Sequence, residues 1–284
     1  MKNYKIGIVG KGFVGSAVQN GFSANTGCEA EVRIYDKDPS RSLNTLEEVM
    51  QCDFVFLSVP TPSNLDGSMN LDFIHSALKE MSEHNSKDTI VLVRSTIVPG
   101  TSKVLQEKYS SLKIVFNPEF LTERSAHFDF INQSRVILGG EKNLTSKVAD
   151  LYSWRFGTYI PIIQTDFQTA ELIKYMNNCF FATKVSFLNE MKLLADKTNC
   201  DWDTAVEGFV LDGRVGHSHL QVPGPDGKMG FGGSCFPKDV QAIIHFGVSM
   251  GLSMQTLKGI WETNIEVRPE KDWEKLLGRS VVEE

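Results

Sequence analysis

The chain has 284 residues, which at roughly 150 residues per domain is length for two domains. Its 41% hydrophobic and 23% charged residues describe a globular protein and exclude a disordered tail protein, a collagen and a small disulfide scaffold. With 29 basic and 35 acidic side chains, a net charge of −6 and no basic run, it has little means of neutralising a polyphosphate backbone, so nucleic acid is not an expected partner. Cys28, Cys52, Cys179, Cys200 and Cys235 are odd in number and scattered without a CxxC. That suits neither a disulfide framework nor a zinc site and predicts a reducing, cytoplasmic setting. No apolar run approaches the ~18–20 residues that span a bilayer, so no membrane partner is expected. Lys5 to Gly10 is too short and too glycine-punctured for a signal peptide.

In chain order, the first half alternates short apolar runs with longer amphipathic segments, the pattern of βαβ units. Strands are predicted at Lys5–Val9, Glu31–Tyr35, Phe54–Ser58, Ile90–Val93, Ile114–Phe116 and Arg135–Leu138, with Tyr159–Ile163 as one further candidate. Helices are predicted at Val14–Phe22, Leu71–Ser82, Thr101–Lys108 and Leu144–Trp154. This is an α/β chain with an N-terminal Rossmann-type, doubly wound parallel sheet over residues 1–165. From 166 to 284 an all-helical domain is expected, opened by one long helix from Gln168 to about Thr198. The apolar set Leu172, Met176, Cys179, Phe180, Phe187, Met191 and Leu194 on that helix is wide enough for burial on more than one side, as in a helix joining domains or protomers. Further helices are expected at Trp202–Asp212, Asp239–Met250 and Ser253–Val267, and the charged residues from Pro269 onward are expected to fray. The Gly- and Pro-rich stretch from Gly213 to Pro237 is too long for a passive connector.

Gly10-Lys11-Gly12-Phe13-Val14-Gly15 follows the first strand and opens the first helix. Glycines there permit a tight turn and close approach of a pyrophosphate, and the helix N-terminus supplies unpaired N–H groups. A lone GxGxxG is a weak signal. Here Asp36 ends the second strand about 20 residues later, where a carboxylate can accept hydrogen bonds from ribose hydroxyls and repel a 2′-phosphate. NAD is therefore expected over NADP, though Lys37, Arg33 and Arg41 lie close by. Ser58-Val59-Pro60-Thr61-Pro62, after the third strand, stands where ribose and phosphates cross the sheet edge.

Four further segments carry chemistry: Ser95-Thr96; Asn117 to Glu123; Lys174 with Asn178, spaced i,i+4 on one helix face; and Gly230 to Asp239. A thiol near a helix N-terminus with Lys238 beside it is in a setting that makes a nucleophile, so Cys235 stands out among the five cysteines. A thiol captures an aldehyde as a thiohemiacetal, which on loss of a second hydride becomes a thioester that water opens to an acid. With an NAD site, that is a four-electron route from alcohol to carboxylate.

Taken together, Gly10–Gly15, Val59-Pro60-Thr61-Pro62, Ser95 to Thr101, Asn117-Pro118-Glu119-Phe120-Leu121, Ala170 to Asn178 and Phe231 to Asp239 resemble the motifs of the UDP-glucose/GDP-mannose dehydrogenase family. The resemblance implies Cys235 as nucleophile, Lys174 and Asp239 bracketing a catalytic water and steadying the oxyanion, and Asn178 holding that water and the substrate oxygen. It implies Glu119 as acid/base and Thr96 positioning water. Gly10, Gly12, Phe13, Val14, Gly15, Asp36, Lys37, Pro60, Thr61, Thr96, Glu123 and Lys238 would line the cofactor. Glu119, Phe120, Leu121, Lys174, Asn178, Phe231, Gly232 and Gly233 would line a sugar or sugar-nucleotide substrate. Arg214 would reach across a homodimer interface built on the helix 168–198. Family members continue into a second Rossmann-like domain that grips the nucleotide, and a chain of this length is expected to lack it. Two other readings stay open: a two-electron β-hydroxyacid dehydrogenase, which needs no nucleophilic cysteine, and a non-catalytic NAD-binding partner. His217 and His219 lack a third ligand in reach, so no metal is expected.

Overall fold

Among the described residues, 3–85 and 88–282 of the computed structural model, seven strands form one sheet. They are β1 (Lys5–Val9), β2 (Glu31–Tyr35), β3 (Phe54–Leu57), β4 (Ile90–Val93), β5 (Lys113–Phe116), β6 (Val136–Gly139) and β7 (Ile162–Thr165), in the order β2-β1-β3-β4-β5-β6-β7. β3, β4 and β6 are buried along their whole length, as unbroken apolar runs in a helix-covered sheet must be. Pairing is parallel from β2 across to β5 and again between β6 and β7. The fully parallel sheet read from the sequence needs one correction: β5 and β6 meet antiparallel, through Phe116 and Gly139. Apolar runs of four residues carry no mark of direction. That is decided by where the intervening chain returns.

The helices of the first half are α1 (Phe13–Gly21), α2 (Leu46–Val49), α3 (Asp72–Glu83), α4 (Thr101–Lys108), α5 (Ala126–Ile131) and α6 (Lys142–Phe156). α2 and α5, too short for a helical period to register, were not expected. Period-two alternation turns Ile6, Ile8, Phe54, Phe56, Ile90 and Leu92 to one face, where they pack with Val18 of α1, Phe22 at its C-terminal cap, Phe130 of α5 and Leu151 of α6. Gly7 turns the other way, and a Cβ there would meet Val55 and Val49 at 2.8 and 2.9 Å.

The long helix α7 (Phe167–Thr198) is continuous over 32 residues. The chain divides within it into two units, Met1–Thr61 with Leu71–Lys174, and Pro62–Asn70 with Tyr175–Glu284. Of the seven apolar residues picked out on α7, Cys179 is buried within the single chain and the other six are exposed.

The second unit holds α8 (Trp202–Val210), α9 (Phe236–Ser249) and α10 (Gln255–Val267). Leu188, Leu220 and Val222 form a small core there with Trp202 and Met229. The C-terminal residues do not fray as far as 282, and the last two of the stretch expected to do so lie outside the described residues. Trp273 is 2% exposed, Ser63 pairs with Val281, and Ser63 N donates to Ser280 O at 2.8 Å. One buried tryptophan and a strand-like bridge outweigh a charged composition.

Candidate active site

The glycine loop lies where the strand order reverses, between β1 and β3, the place at which open α/β sheets bind ligands. Gly10 has φ +91, and a Cβ on it would meet Ser58 O at 2.4 Å; one on Gly15 would meet Gly10 O at 2.0 Å. A Cβ on Gly12 would meet nothing within 4 Å, and no side chain caps the N-terminus of α1, which Gly12 begins. A loop packed tight beneath and open above, at an uncapped helix N-terminus, fits a pyrophosphate. Asp36 is drawn onto this loop, its Oδ2 accepting from Lys11 N at 2.6 Å and its Oδ1 from Asp38 N at 2.9 Å. Lys37 and Pro60 are exposed.

The loops after β3 and β4 are stitched together. Ser95 Oγ donates to Val59 O at 2.6 Å and Thr61 Oγ1 to Thr96 O at 3.0 Å, with Thr61, Ser95 and Thr96 buried. Glu119, in the β5 loop, is buried and meets Lys174 of α7. Lys174 Nζ lies 2.9 Å from Glu119 Oε1 and donates to Glu119 O at 2.6 Å, while Glu119 Oε2 accepts from Leu121 N at 2.7 Å. Burial pushes the Glu119 carboxyl up, yet the Lys174 charge, the Leu121 N–H and the Arg94 charge outweigh it and hold the group below its ordinary value. Lys174 Nζ also sits 5.3 Å from the centre of the Phe120 ring. Glu123 is exposed at the start of a 3₁₀ turn.

Arg94 escaped sequence reading. Its guanidinium is buried, donating to Asn117 Oδ1 at 2.8 Å and Tyr152 Oη at 3.2 Å. The signal available was a charge placed directly after the apolar run Ile90–Val93. Glu171 was likewise missed: its carboxylate, fully buried, accepts from Gly100 N at 2.6 Å and Ser102 N at 2.7 Å and so caps α4 from 70 residues away along the chain.

In the second unit Cys235 is the N-cap residue of α9, so the thiol stands at a helix N-terminus. One turn on, Asp239 is 1% exposed. Asn178 Nδ2 donates to its Oδ2 at 2.6 Å, and Lys238 Nζ lies 2.5 Å from its Oδ1. Lys238, expected beside the thiol, thus commits its charge to Asp239. Phe231 is buried and its ring packs edge-on against Phe236 at 6.2 Å. Gly230 and Gly233 take φ of +68 and +71. The glycine-rich loop is held by Asn189, Asn264 and Asp272, none of which was singled out; an asparagine spaced i,i+4 from Ile260, on the apolar face of α10, was the legible sign. Arg214 is exposed and paired with Asp212 at 2.5 Å. His219 stacks on Phe181 at 4.1 Å. Among the described residues no three His, Cys, Asp or Glu side chains are grouped to hold a metal ion, and no helix is long and apolar enough to cross a membrane.

A glycine loop at the switch point of such a sheet defines a dinucleotide-binding protein of the Rossmann class. Residues 40–154 match the model of the UDP-glucose/GDP-mannose dehydrogenase family's NAD binding domain, and residues 168–266 match that of its central domain. The chain belongs to this family. It is 34% identical over 221 residues to a UDP-glucose 6-dehydrogenase of Bacillus subtilis (strain 168), covering 75% of this chain and 49% of that one. A solved UDP-glucose dehydrogenase from Pyrobaculum islandicum superposes with a TM-score of 0.81 at 30% identity, over 97% of this chain and 71% of that one. The 3-hydroxyisobutyrate dehydrogenase of Mycobacterium tuberculosis shares the fold alone, with a TM-score of 0.73 at 15% identity over 95% of both chains. The chain spans about half the length of the curated relatives it matches.

Proposed function

We propose that the protein oxidises the primary alcohol of a sugar, carried on a nucleotide, to the carboxylate with NAD, through a covalent intermediate on Cys235. NAD, when bound, accepts hydride in each of the two oxidations. The protein's own residues do the rest. Cys235 Sγ adds to the aldehyde carbon while the carbonyl oxygen takes a proton, and water later displaces the thiolate from the thioester to release the acid. Lys174, held by Glu119, donates to the developing oxyanion, and Asp239, held by Asn178, accepts the proton of the attacking water. Glu119 serves as acid/base in the aldehyde and thioester steps. Thr96 orients water, and Asp36 takes the ribose hydroxyls.

The observation that carries this reading is the buried cluster in which Asn178 of α7 and Lys238 both meet Asp239, with Lys238 and Asp239 in the first turn of the helix whose N-cap is Cys235. A two-electron oxidation has no use for a thiol there. We also place Arg214 across a homodimer interface formed by α7, which accounts for a solvated arginine and for the apolar side chains Met176, Phe180 and Phe187 left exposed. None of the five cysteines is in a disulfide, which suits the cytoplasm.

The test counts NADH per substrate over UDP-glucose, GDP-mannose and the free sugars. Two NADH per sugar are expected, and Cys235→Ser should cut kcat by about 10³-fold or more. One NADH per sugar, with full turnover in Cys235→Ser, returns the two-electron hydroxyacid reading. Tight NAD binding with no NADH from any sugar returns the non-catalytic one.

A further inference from the structure

The loop that ends at Cys235 is gripped by buried side chains to which the proposed reaction gives no part. Asn264, 0% exposed, accepts from Phe231 N at 2.7 Å and returns its own Nδ2 to Phe231 O at 3.0 Å. Asn189 Oδ1 accepts from Gly230 N at 2.9 Å, and Asp272 Oδ2 from Gly233 N at 3.2 Å. Arg268, 3% exposed, locks the arrangement. Its Nε lies 2.6 Å from Asp272 Oδ1, its Nη2 lies 2.6 Å from Asp226 Oδ2, and its Nη1 donates to Met229 O at 3.1 Å.

The loop is shaped to this grip. A Cβ on Gly230 would lie 2.5 Å from Asn264 Oδ1, and one on Gly232 would lie 2.4 Å from Asp272 Oδ1 and 2.5 Å from Arg268 Nε. The glycines therefore let the backbone rest directly on the polar groups. Burying a guanidinium and an amide is costly unless their polar atoms are met, and apolar packing would stabilise a plain loop as well. Here the partners are the backbone groups of Met229, Gly230, Phe231 and Gly233, so movement of the grip is passed to a thiol two residues beyond Gly233.

We propose that Asn264 and the Arg268–Asp272 pair are positioning residues that set where the Cys235 thiol stands. The proposal rests on the reading of Cys235 as nucleophile for its catalytic consequence, though not for its effect on the thiol itself. The test uses the full chain: steady-state kinetics, NAD titration, thermal unfolding, and alkylation by iodoacetamide followed residue by residue by peptide mass spectrometry. Asn264→Ala is expected to lower kcat about tenfold or more while the KM for NAD stays within about twofold. The alkylation rate of Cys235 should move by a comparable factor, with exposed Cys200 as the unchanged internal standard. Should Asn264→Ala not fold, Asp272→Asn, at a half-buried position, carries the test with a severalfold effect.

A folded variant whose Cys235 alkylates at the wild-type rate overturns the proposal, whatever its kcat. Equal changes at Cys235 and Cys200 also overturn it, because the effect is then general loosening. Retained turnover in Cys235→Ser sinks the thiol route, and the alkylation rates still decide the grip.

Discussion

At the scale of single residues, the Glu119–Lys174 pair is the most exacting arrangement in the first unit. Both side chains are buried, and removing one partner leaves a buried charge without its ion pair, at a cost of about 3–5 kcal/mol. Glu119 lies below its ordinary value of 4.5, so its ionised form contributes stability that is present above that value and lost as the pH falls through the lowered one. In Lys174→Met burial dominates instead, the carboxyl rises, and protonation becomes favourable to folding. The destabilisation measured by denaturant or heat should therefore be large at pH 8 and shrink toward pH 5. A penalty independent of pH would show that the pair is not its source. Sequence reading found Lys174 from its i,i+4 spacing to Asn178. It could not pair Lys174 with Glu119, 55 residues earlier, because that contact is made by the meeting of the β5 loop with a helix from elsewhere in the chain.

At the scale of elements, helix termini are where local sequence and tertiary contact trade roles. α2 closes its own N-terminus with a capping box between Thr45 and Glu48, a feature readable from four adjacent residues. α4 begins after Gly100 with no side chain of its own as cap, and Glu171 supplies one from α7. Burial pushes Glu171 up despite the N–H groups of Ser102 and Gly100 that pull it down. Glu171→Ala should cost about 2 kcal/mol in unfolding free energy, since the buried N–H of Ser102 and the half-buried N–H of Gly100 lose their acceptor. Glu171→Gln, which keeps one carbonyl oxygen, should recover part of it. An unchanged Tm in Glu171→Ala would mean that water replaces the carboxylate. The Cys235 end of α9 is a third case, where Pro237 in the first turn starts the helix locally but the loop ahead is shaped by α10.

At the scale of the whole molecule, α7 leaves Met176, Phe180, Phe187, Met191 and Leu194 exposed, and large apolar side chains repeating along one helix are the ordinary mark of an association surface. The proposed dimer makes a direct prediction. Light scattering should give a dimer mass for the wild type, and Phe180→Asp with Phe187→Asp should raise the dissociation constant by about 10²-fold or more with the far-ultraviolet spectrum unchanged. A monomeric wild type would refute it.

The amino-acid sequence by itself determined six of the seven strands, because short apolar, β-branched runs are local, with β1, β2 and β4 ending where the run ends, whereas β7 begins three residues later than the candidate Tyr159–Ile163. It determined the glycine loop, with Asp36 at the end of the strand that follows, and the polar spacing along α7, because each is written within a single βαβ unit or one or two turns of helix. Only the tertiary structure decided the antiparallel step between β5 and β6, the pairing of Glu119 with Lys174, the capping of α4 by Glu171, and the ordering of the C-terminal residues that bring Asp272 to the thiol loop. Those contacts join groups distant along the chain, and their strength comes from excluding water between them. No local pattern encodes that, because water leaves only when the elements have already met.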